Sequence, residues 1–143
     1  MIYTPLTCEA MKFAYRAHHG QFDKSGIPYI FHPIHLAEQM PDELTTCVAL
    51  LHDIVEDTDL TLEELKSVFP EAVTDAVALM THNPEVPYPE YVLAIKDNPI
   101  ARVVKIADLT HNRDVTRLTG IVIDREKHQA RLEKYQKALE ILR

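Results

Sequence analysis

Glycine and cysteine are scarce in this chain, and each shortage excludes a class of protein. The three glycines, Gly20, Gly26 and Gly120, are too far apart to form a Walker-type or GxGxxG phosphate-binding loop. The two cysteines, Cys8 and Cys47, lack the spacing of a zinc site and are typical of reduced core residues in a cytoplasmic protein. We therefore expect neither a glycine-loop nucleotide fold nor a disulfide framework.

Long apolar runs and an excess of basic residues are also missing. No run approaches the roughly 20 residues of a membrane-spanning helix, and the N-terminus lacks the basic, apolar and small-residue order of a signal peptide. With 15 basic and 22 acidic residues, the net charge of −7 argues against general binding to nucleic acids. The length of 143 residues indicates one cytoplasmic domain spanning residues 1–143, with no membrane or nucleic-acid partner.

Apolar residues recur at helical spacing through most of the chain, and prolines and capping residues divide it into segments. Asn98-Pro99 has the form of a helix cap followed by a first-turn proline. Thr61 and Glu64 form a capping-box pattern. The β-branched run 121–123 is too short to indicate a sheet. We predict an all-α helical bundle, with helices over residues 5–19, 33–40, 42–52, 61–69, 71–81, 91–96, 99–109 and 124–142.

The segment Leu50–Thr58 combines an apolar approach with a dense polar cluster. His52 and Asp53 are adjacent, so on one helix they would point about 100° apart and could reach one ion only near a helix end or kink. Glu56 and Asp57 follow one turn later. So many ionisable groups would perturb one another's protonation unless a cation neutralised them. The segment predicts a divalent metal site, and the alternative is a solvated acidic helix end.

Two more polar residues interrupt apolar surroundings in distant segments. His32 lies in Ile30–Pro33, and Asp108 lies in the mostly apolar segment Val103–Leu109. Burying an aspartate is costly unless it is paired or coordinated. Taken singly, His32 could be a hydrogen-bonded core histidine, and Asp108 could pair with Lys105. Together with the preceding histidine and aspartate, they suit a mixed nitrogen and oxygen site for Mn²⁺, Zn²⁺ or Fe²⁺.

These segments resemble a known family in content, order and approximate separation. Lys24–Pro33, Leu50–Thr58, and Val104–Asp108 followed by Asn112 are similar to the motifs of the HD-domain metal-dependent phosphohydrolases, and specifically to the hydrolase domain of the RelA/SpoT family. The resemblance extends from about residue 6 to residue 118. Because the chain has no room for a synthetase domain, it looks like the small stand-alone hydrolases, including the metazoan type, of the alarmone that mediates the stringent response.

The resemblance implies a manganese-dependent (p)ppGpp 3′-pyrophosphohydrolase that converts ppGpp to GDP and pyrophosphate by attack of metal-bound water. It implies a role for each matching residue. The implied metal ligands are His32, His52, Asp53 and Asp108, and the implied catalytic acids are Glu56 and Asp57. The implied substrate contacts are Lys24, Ser25, Tyr29 and Asn112. The candidates for holding the second diphosphate are Arg16, Lys96, Lys105, Arg113 and Arg117.

One departure from the family concerns the residue before Lys24. Members usually carry an arginine there that stacks on the guanine base, and this chain has Asp23. A carboxylate offers no cationic stacking surface, so restoring arginine at this position is expected to lower the KM for ppGpp. The alternatives are a phosphohydrolase for another nucleotide, a nucleotide-binding module without catalysis, and a purely structural helical domain.

The remaining histidines and the assembly state complete the expectations from sequence. Surface or alternating placement accounts for four histidines without a metal role, namely His18, His19, His35 and His111. An exposed apolar patch could support an oligomer, a question that the sequence leaves open.

Overall fold

The computed structural model describes all 143 residues and contains nine α-helices, one 3-10 turn and no strand. The helices are α1 Pro5–Ala17, α2 Phe31–Glu38, α3 Glu43–Leu51, α4 Ile54–Asp57, α5 Leu62–Lys66, α6 Glu71–Met80, α7 Tyr88–Lys96, α8 Pro99–Asn112 and α9 Arg125–Leu142, with the 3-10 turn at Val115–Arg117. The prediction of an all-α bundle is confirmed. None of these helices has the length and apolar character needed to cross a bilayer.

Helix α3 lies at the centre of the molecule. It packs against α1, α2, α6 and α8, and every residue from Thr45 to Leu51 is buried. The helical spacing of Leu44, Cys47, Val48 and Leu51 indicates one inner face, and the last three of these residues are buried as expected. The other faces are buried as well, because neighbouring helices surround α3. Leu44, at the start of the helix, is only half-buried.

Asp42 begins α3 as its N-cap residue. Its Oδ1 accepts hydrogen bonds from the backbone N–H of Thr45 at 2.8 Å and from the Thr45 hydroxyl at 2.7 Å. These hydrogen bonds hold the pKa of Asp42 below its usual range. The cap therefore favours the ionised carboxylate and orients the helix that ends at the polar cluster.

We expect Asp42→Ala to lower the free energy of unfolding by about 1 kcal/mol, because the first turn loses its acceptor. Asp42→Asn keeps the acceptor and serves as the matched control, with a much smaller loss at pH 7. The lowered pKa of Asp42 means that its ionic contribution is present above its unfolded pKa and disappears as pH falls through its folded pKa. Urea unfolding from pH 7 to pH 3 should therefore show the wild type converging on Asp42→Asn; equal losses for the two variants at pH 7 would contradict the cap.

The helices differ from the sequence prediction in several places: α4 Ile54–Asp57 was not predicted, α5 ends at Lys66 rather than at residue 69, and α8 extends to Asn112 rather than ending at residue 109. Helix α1 ends at Ala17 rather than at residue 19, because the chain turns at His18 and then passes through Gly20 with a φ of +84°. Helix α7 begins at Tyr88 rather than at residue 91, because Pro89 is accommodated in its first turn.

Helix α9 closes the bundle over α7 and α8. Its C-terminal part is buried through Ala138, Leu139 and Leu142. Leu132 and Tyr135 lie on the same helical stripe as Leu139 and Leu142, but these two residues are only half-buried. Both also line a cavity, so the middle of this helix forms part of a candidate site.

Candidate metal centre and active site

The break between α3 and α4 brings the side chains of two adjacent residues, His52 and Asp53, close to each other. Helix α3 ends at Leu51, His52 is its C-cap residue, and α4 begins at Ile54. Asp53, between the two helices, has φ −116° and ψ 10°, outside helical geometry. The two side chains therefore converge, with His52 Nε2 lying 3.6 Å from Asp53 Oδ2.

Two other helices complete the cluster. His32 lies in the first turn of α2 and Asp108 lies in the second half of α8. Asp108 Oδ1 is 2.9 Å from His32 Nε2 and 3.4 Å from His52 Nε2. These three residues and Asp53 are each between 4% and 7% exposed, so the cluster is shielded from water. The structure thus brings together all four predicted ligands, whose metal-binding role stays a prediction.

The donor atoms of the cluster fit a divalent cation. Ligand atoms of His32, His52 and Asp53 all lie within 4.8 Å of one another. Asp53 Oδ1 is buried and makes no hydrogen bond. His52 Nδ1 donates to the Ala49 carbonyl at 2.7 Å, which leaves its Nε2 facing the carboxylates. Imidazole nitrogens and carboxylate oxygens together suit Mn²⁺, Zn²⁺ or Fe²⁺, and a ring held through its other nitrogen is typical of a histidine ligand.

Both buried aspartates are held in the ionised form. Burial opposes ionisation of Asp53, but the charge of His52, the nearby imidazole of His18 and a hydrogen bond from Tyr29 lower its pKa. Burial likewise opposes ionisation of Asp108, but Lys105 and two imidazoles hold its pKa well below its usual range. Two buried negative charges are a strong attraction for a cation.

Lys105 contacts the cluster of four predicted metal ligands directly. Its Nζ donates to Asp108 Oδ2 at 2.9 Å, while Oδ1 of the same carboxylate faces the histidines. The sequence treated the pairing of these two residues as an alternative to a metal role, and the structure accommodates both at once. Lys105 is 8% exposed, so its ammonium already has a partner inside the protein. Its predicted contact with substrate stays a prediction.

The predicted acid pair lies on one wall of a cavity that reaches the cluster. This cavity has a volume of about 230 Å³ and is lined by Glu56, Asp57, His52, Asp53 and Asp108, among others. Glu56 Oε1 accepts a hydrogen bond from the backbone N–H of His82 at 2.7 Å. Burial and the neighbouring carboxylates of Asp53 and Glu56 raise the pKa of Asp57. A carboxyl group with a raised pKa is better suited to exchange a proton near neutral pH.

A second cavity reaches the cluster from the other side. It has a volume of about 260 Å³, and its lining includes Lys24, Ser25, Tyr29, Asn112 and Arg131. Three of the predicted substrate contacts also hold the site together. Asn112 Nδ2 donates to Asp108 Oδ1 at 3.1 Å, the Tyr29 hydroxyl donates to Asp53, and the Ser25 hydroxyl donates to the carbonyl of Arg117.

Sequence reasoning missed residues of α9 that line these cavities. Arg131 lines the second cavity, Lys134 lines the first, and Tyr135 lines both. The spacing of Arg131 and Tyr135, four residues apart on one helix face, is the only local signal for them. Of the cations proposed for the second diphosphate, Arg117 and Lys105 line a cavity, whereas Arg16, Lys96 and Arg113 line neither.

Surface or alternating placement was expected for His18 and His111, and surface placement is wrong for His18. His18 is 1% exposed, with its Nε2 lying 3.3 Å from Asp53 Oδ1. His111 is half-buried, and its Nδ1 lies 2.7 Å from His32 Nδ1. Each therefore contacts a predicted ligand. By contrast, His19 and His35 are exposed, as the sequence indicated.

Comparison with known proteins identifies the fold family. A model described as HD domain matches residues 10–98, which is more than half of the chain. The chain belongs to the HD-domain family. Within this family it is 38% identical over 130 residues to the guanosine-3′,5′-bis(diphosphate) 3′-pyrophosphohydrolase MESH1 of Danio rerio, covering 81% of this chain and 72% of that protein. It is 40% identical over 125 residues to MESH1 of Homo sapiens, covering 78% and 70%.

Other relatives and a solved structure extend the comparison. The chain is 37% identical over 145 residues to a GTP pyrophosphokinase of Streptomyces coelicolor, covering 92% of this chain but only 16% of the length of that protein. A structure described as a metazoan ortholog of SpoT that hydrolyzes ppGpp aligns with a TM-score of 0.82 at 24% identity, covering 100% of this chain and 88% of the other. The structural likeness shows the fold, and the MESH1 identities confirm the resemblance to RelA/SpoT-type HD hydrolases.

Proposed function

We propose that this HD-domain chain acts over residues 1–143 as a manganese-dependent (p)ppGpp 3′-pyrophosphohydrolase that yields GDP and pyrophosphate. The observation that carries the proposal is the position of the His and Asp cluster between two cavities, one bearing the acid pair and the other bearing cations. The names of the MESH1 relatives support the same substrate. The proposed metal is Mn²⁺, while the donor set also suits Zn²⁺ and Fe²⁺.

The side chains divide the chemistry between holding a cation and moving a proton. His32, His52, Asp53 and Asp108 would hold the metal, which when bound lowers the pKa of water and polarises a phosphoryl oxygen. Glu56 or Asp57 then accepts a proton from the attacking water at a carboxylate oxygen. The bond that breaks joins the 3′ oxygen to phosphorus, and that oxygen leaves with a proton as the hydroxyl group of GDP.

Two cations in the second cavity are suited to hold the phosphates. Lys24 and Arg131 both line it. Burial and then the neighbouring charge of Arg131 lower the pKa of Lys24, so the two positive charges repel each other. An anion between them would relieve this repulsion and accept charge-assisted hydrogen bonds from both. This pair is our candidate for one diphosphate of the substrate.

Asp23 supports a second candidate function, hydrolysis of a different nucleotide. The loop 22–28 is closed by an isolated bridge between Phe22 and Pro28. Asp23 Oδ1 accepts hydrogen bonds from the backbone N–H groups of Ser25 at 2.8 Å and Ile27 at 3.0 Å, while its Oδ2 lies 3.7 Å from Arg117 Nη2. The carboxylate organises the loop and pairs with a guanidinium, which changes the surface offered to a base at this position.

The contacts of Asp23 give a reason to expect that arginine at position 23 weakens ppGpp binding, contrary to the expectation from sequence. Asp23→Arg removes the acceptor for two backbone N–H groups and places a second guanidinium beside Arg117. We expect its KM for ppGpp to rise, whereas Asp23→Asn, which keeps an acceptor, should have a smaller effect. Steady-state kinetics of both variants measure this, and a KM for Asp23→Arg below that of the wild type would contradict it.

A product assay tests the proposed function. Purified protein loaded with Mn²⁺ is incubated with ppGpp and separately with a panel of common nucleotides, and the products are resolved by ion-exchange chromatography. GDP and pyrophosphate from ppGpp, in a reaction stopped by a chelator, are the expected result. Intact ppGpp with phosphate release from another nucleotide would select the second candidate. Binding of nucleotide without any product would instead indicate a module without catalysis.

A further inference from the structure

The imidazole rings of His32 and His111 meet edge to edge beside the cluster of predicted metal ligands. Their Nδ1 atoms are 2.7 Å apart. The ring planes are within 7° of parallel and the ring centroids are 5.0 Å apart. The distance between the centroids equals the distance between the two Nδ1 atoms plus the radii of the two rings. Both Nδ1 atoms therefore lie on the line that joins the ring centres. The rings are therefore coplanar and share one linear hydrogen bond rather than stacking face to face.

Such a hydrogen bond contains one proton, and a metal-binding role for His32 determines which ring carries it. Nε2 of His32 faces the carboxylate of Asp108 and can bind a cation only through its lone pair. A neutral His32 ring must then carry its proton on Nδ1, which donates to His111. His111 must accept at Nδ1 and carry its own proton on Nε2.

We propose that His111 is a positioning residue that sets the tautomer and ring orientation of His32 for metal binding. His111 lies three residues after Asp108 on α8. This helix therefore supplies both a predicted ligand, Asp108, and the residue that holds a second predicted ligand, His32. His52 receives the corresponding support from the Ala49 carbonyl. The inference rests on the metal centre of the proposed function. It adds a histidine outside the predicted ligand set.

His35 provides a matched control on the far side of His111. The two rings are 4.1 Å apart between centroids and tilted by 29°, so they stack without a hydrogen bond. His35 is exposed, and the hydrogen-bond partner of His32 Nδ1 is His111 and not His35. Replacing it changes the surroundings of His111 but leaves the acceptor for His32 in place.

The test measures Mn²⁺ affinity in the full chain, by titration followed through the electron paramagnetic resonance of free Mn²⁺. His111→Asn places Oδ1 close to the position of the original Nδ1 and keeps the acceptor. His111→Phe fills the space without an acceptor. We expect His111→Phe to weaken Mn²⁺ binding by about 10–100-fold, as for other supports of metal ligands. His111→Asn and His35→Ala should bind Mn²⁺ close to the wild-type affinity.

A thermal measurement separates positioning from a general structural role. The melting temperature of metal-free His111→Phe should match that of the metal-free wild type, while its increase on adding Mn²⁺ should be smaller. If His111→Phe does not fold, His111→Gln replaces it, because its amide lies one bond farther from the backbone and should bind Mn²⁺ more weakly than His111→Asn. Wild-type affinity in His111→Phe, or equal weakening in the asparagine and phenylalanine variants, would overturn the inference. A wild-type chain that binds no Mn²⁺ would overturn the metal centre of the proposed function as well. That result is distinct from one in which only the role of His111 is contradicted.

Discussion

Replacing His52 or Asp53 with alanine should abolish both metal retention and turnover. Each side chain supplies a buried donor to the cluster, and Asp53 also supplies one of its two buried charges. The Mn²⁺ affinity should fall by more than the roughly 10–100-fold typical for losing a partner outside the coordination shell. Metal content after dialysis and the rate of ppGpp hydrolysis measure the two losses together.

Asp59→Ala is the matched control for these variants. Asp59 is exposed and lies only two residues beyond the acid pair, so its replacement changes the net charge without changing the cluster. It should keep wild-type metal content and rate. Circular dichroism of each variant must show the helical spectrum of the wild type. A folded His52→Ala or Asp53→Ala protein that retains stoichiometric Mn²⁺ would exclude that residue as a ligand.

Glu56→Gln should retain the metal and lose turnover. The amide keeps an oxygen that can accept the hydrogen bond from His82 N–H, but it cannot take a proton from the attacking water. Loss of a general base typically reduces the rate by about 10²–10⁴-fold. We expect this loss in kcat, because Glu56 lines the cavity but is not one of the four predicted metal ligands.

Comparison with Glu56→Ala separates the position of the loop from the chemistry. The alanine variant removes both the acceptor for His82 and the base, so a similar kcat for the two variants would assign the loss to the base. Glu63→Ala, at an exposed glutamate of α5, is the charge control and should be fully active. Unchanged turnover in both Glu56 variants would leave Asp57, with its raised pKa, as the single carboxylate base.

Local sequence signals were sufficient for most of the helices. The caps Asp42, Thr61 and Asn98 precede α3, α5 and α8, where each side chain accepts from backbone N–H groups in the first turn. Such signals are readable because the cap and its helix lie within a few residues of each other. The identity and order of His32, His52, Asp53 and Asp108 were readable for a different reason, since polar residues interrupting apolar helices stand out in any sequence.

Contacts between distant segments were decided by the tertiary structure alone. The burial of α3 on all sides depends on four helices packing around it. The placement of His18 against Asp53 and of His111 against His32 depends on where α1 and α8 meet the cluster. The contribution of Arg131 requires α9 to fold back over the site.

The pairing of Asp23 with Arg117 shows most clearly the difference between what the sequence indicates and what the tertiary structure decides. Sequence comparison could identify Asp23 as a departure from the family, but not the guanidinium that faces it. Hydrophobic periodicity specifies which face of a helix is buried, whereas the partner on that face depends on the docking of the whole element. For this protein the sequence by itself determined most of the helices and the chemical identity of the candidate site. Only the packing of distant helices decided which residues support that site and which line its cavities.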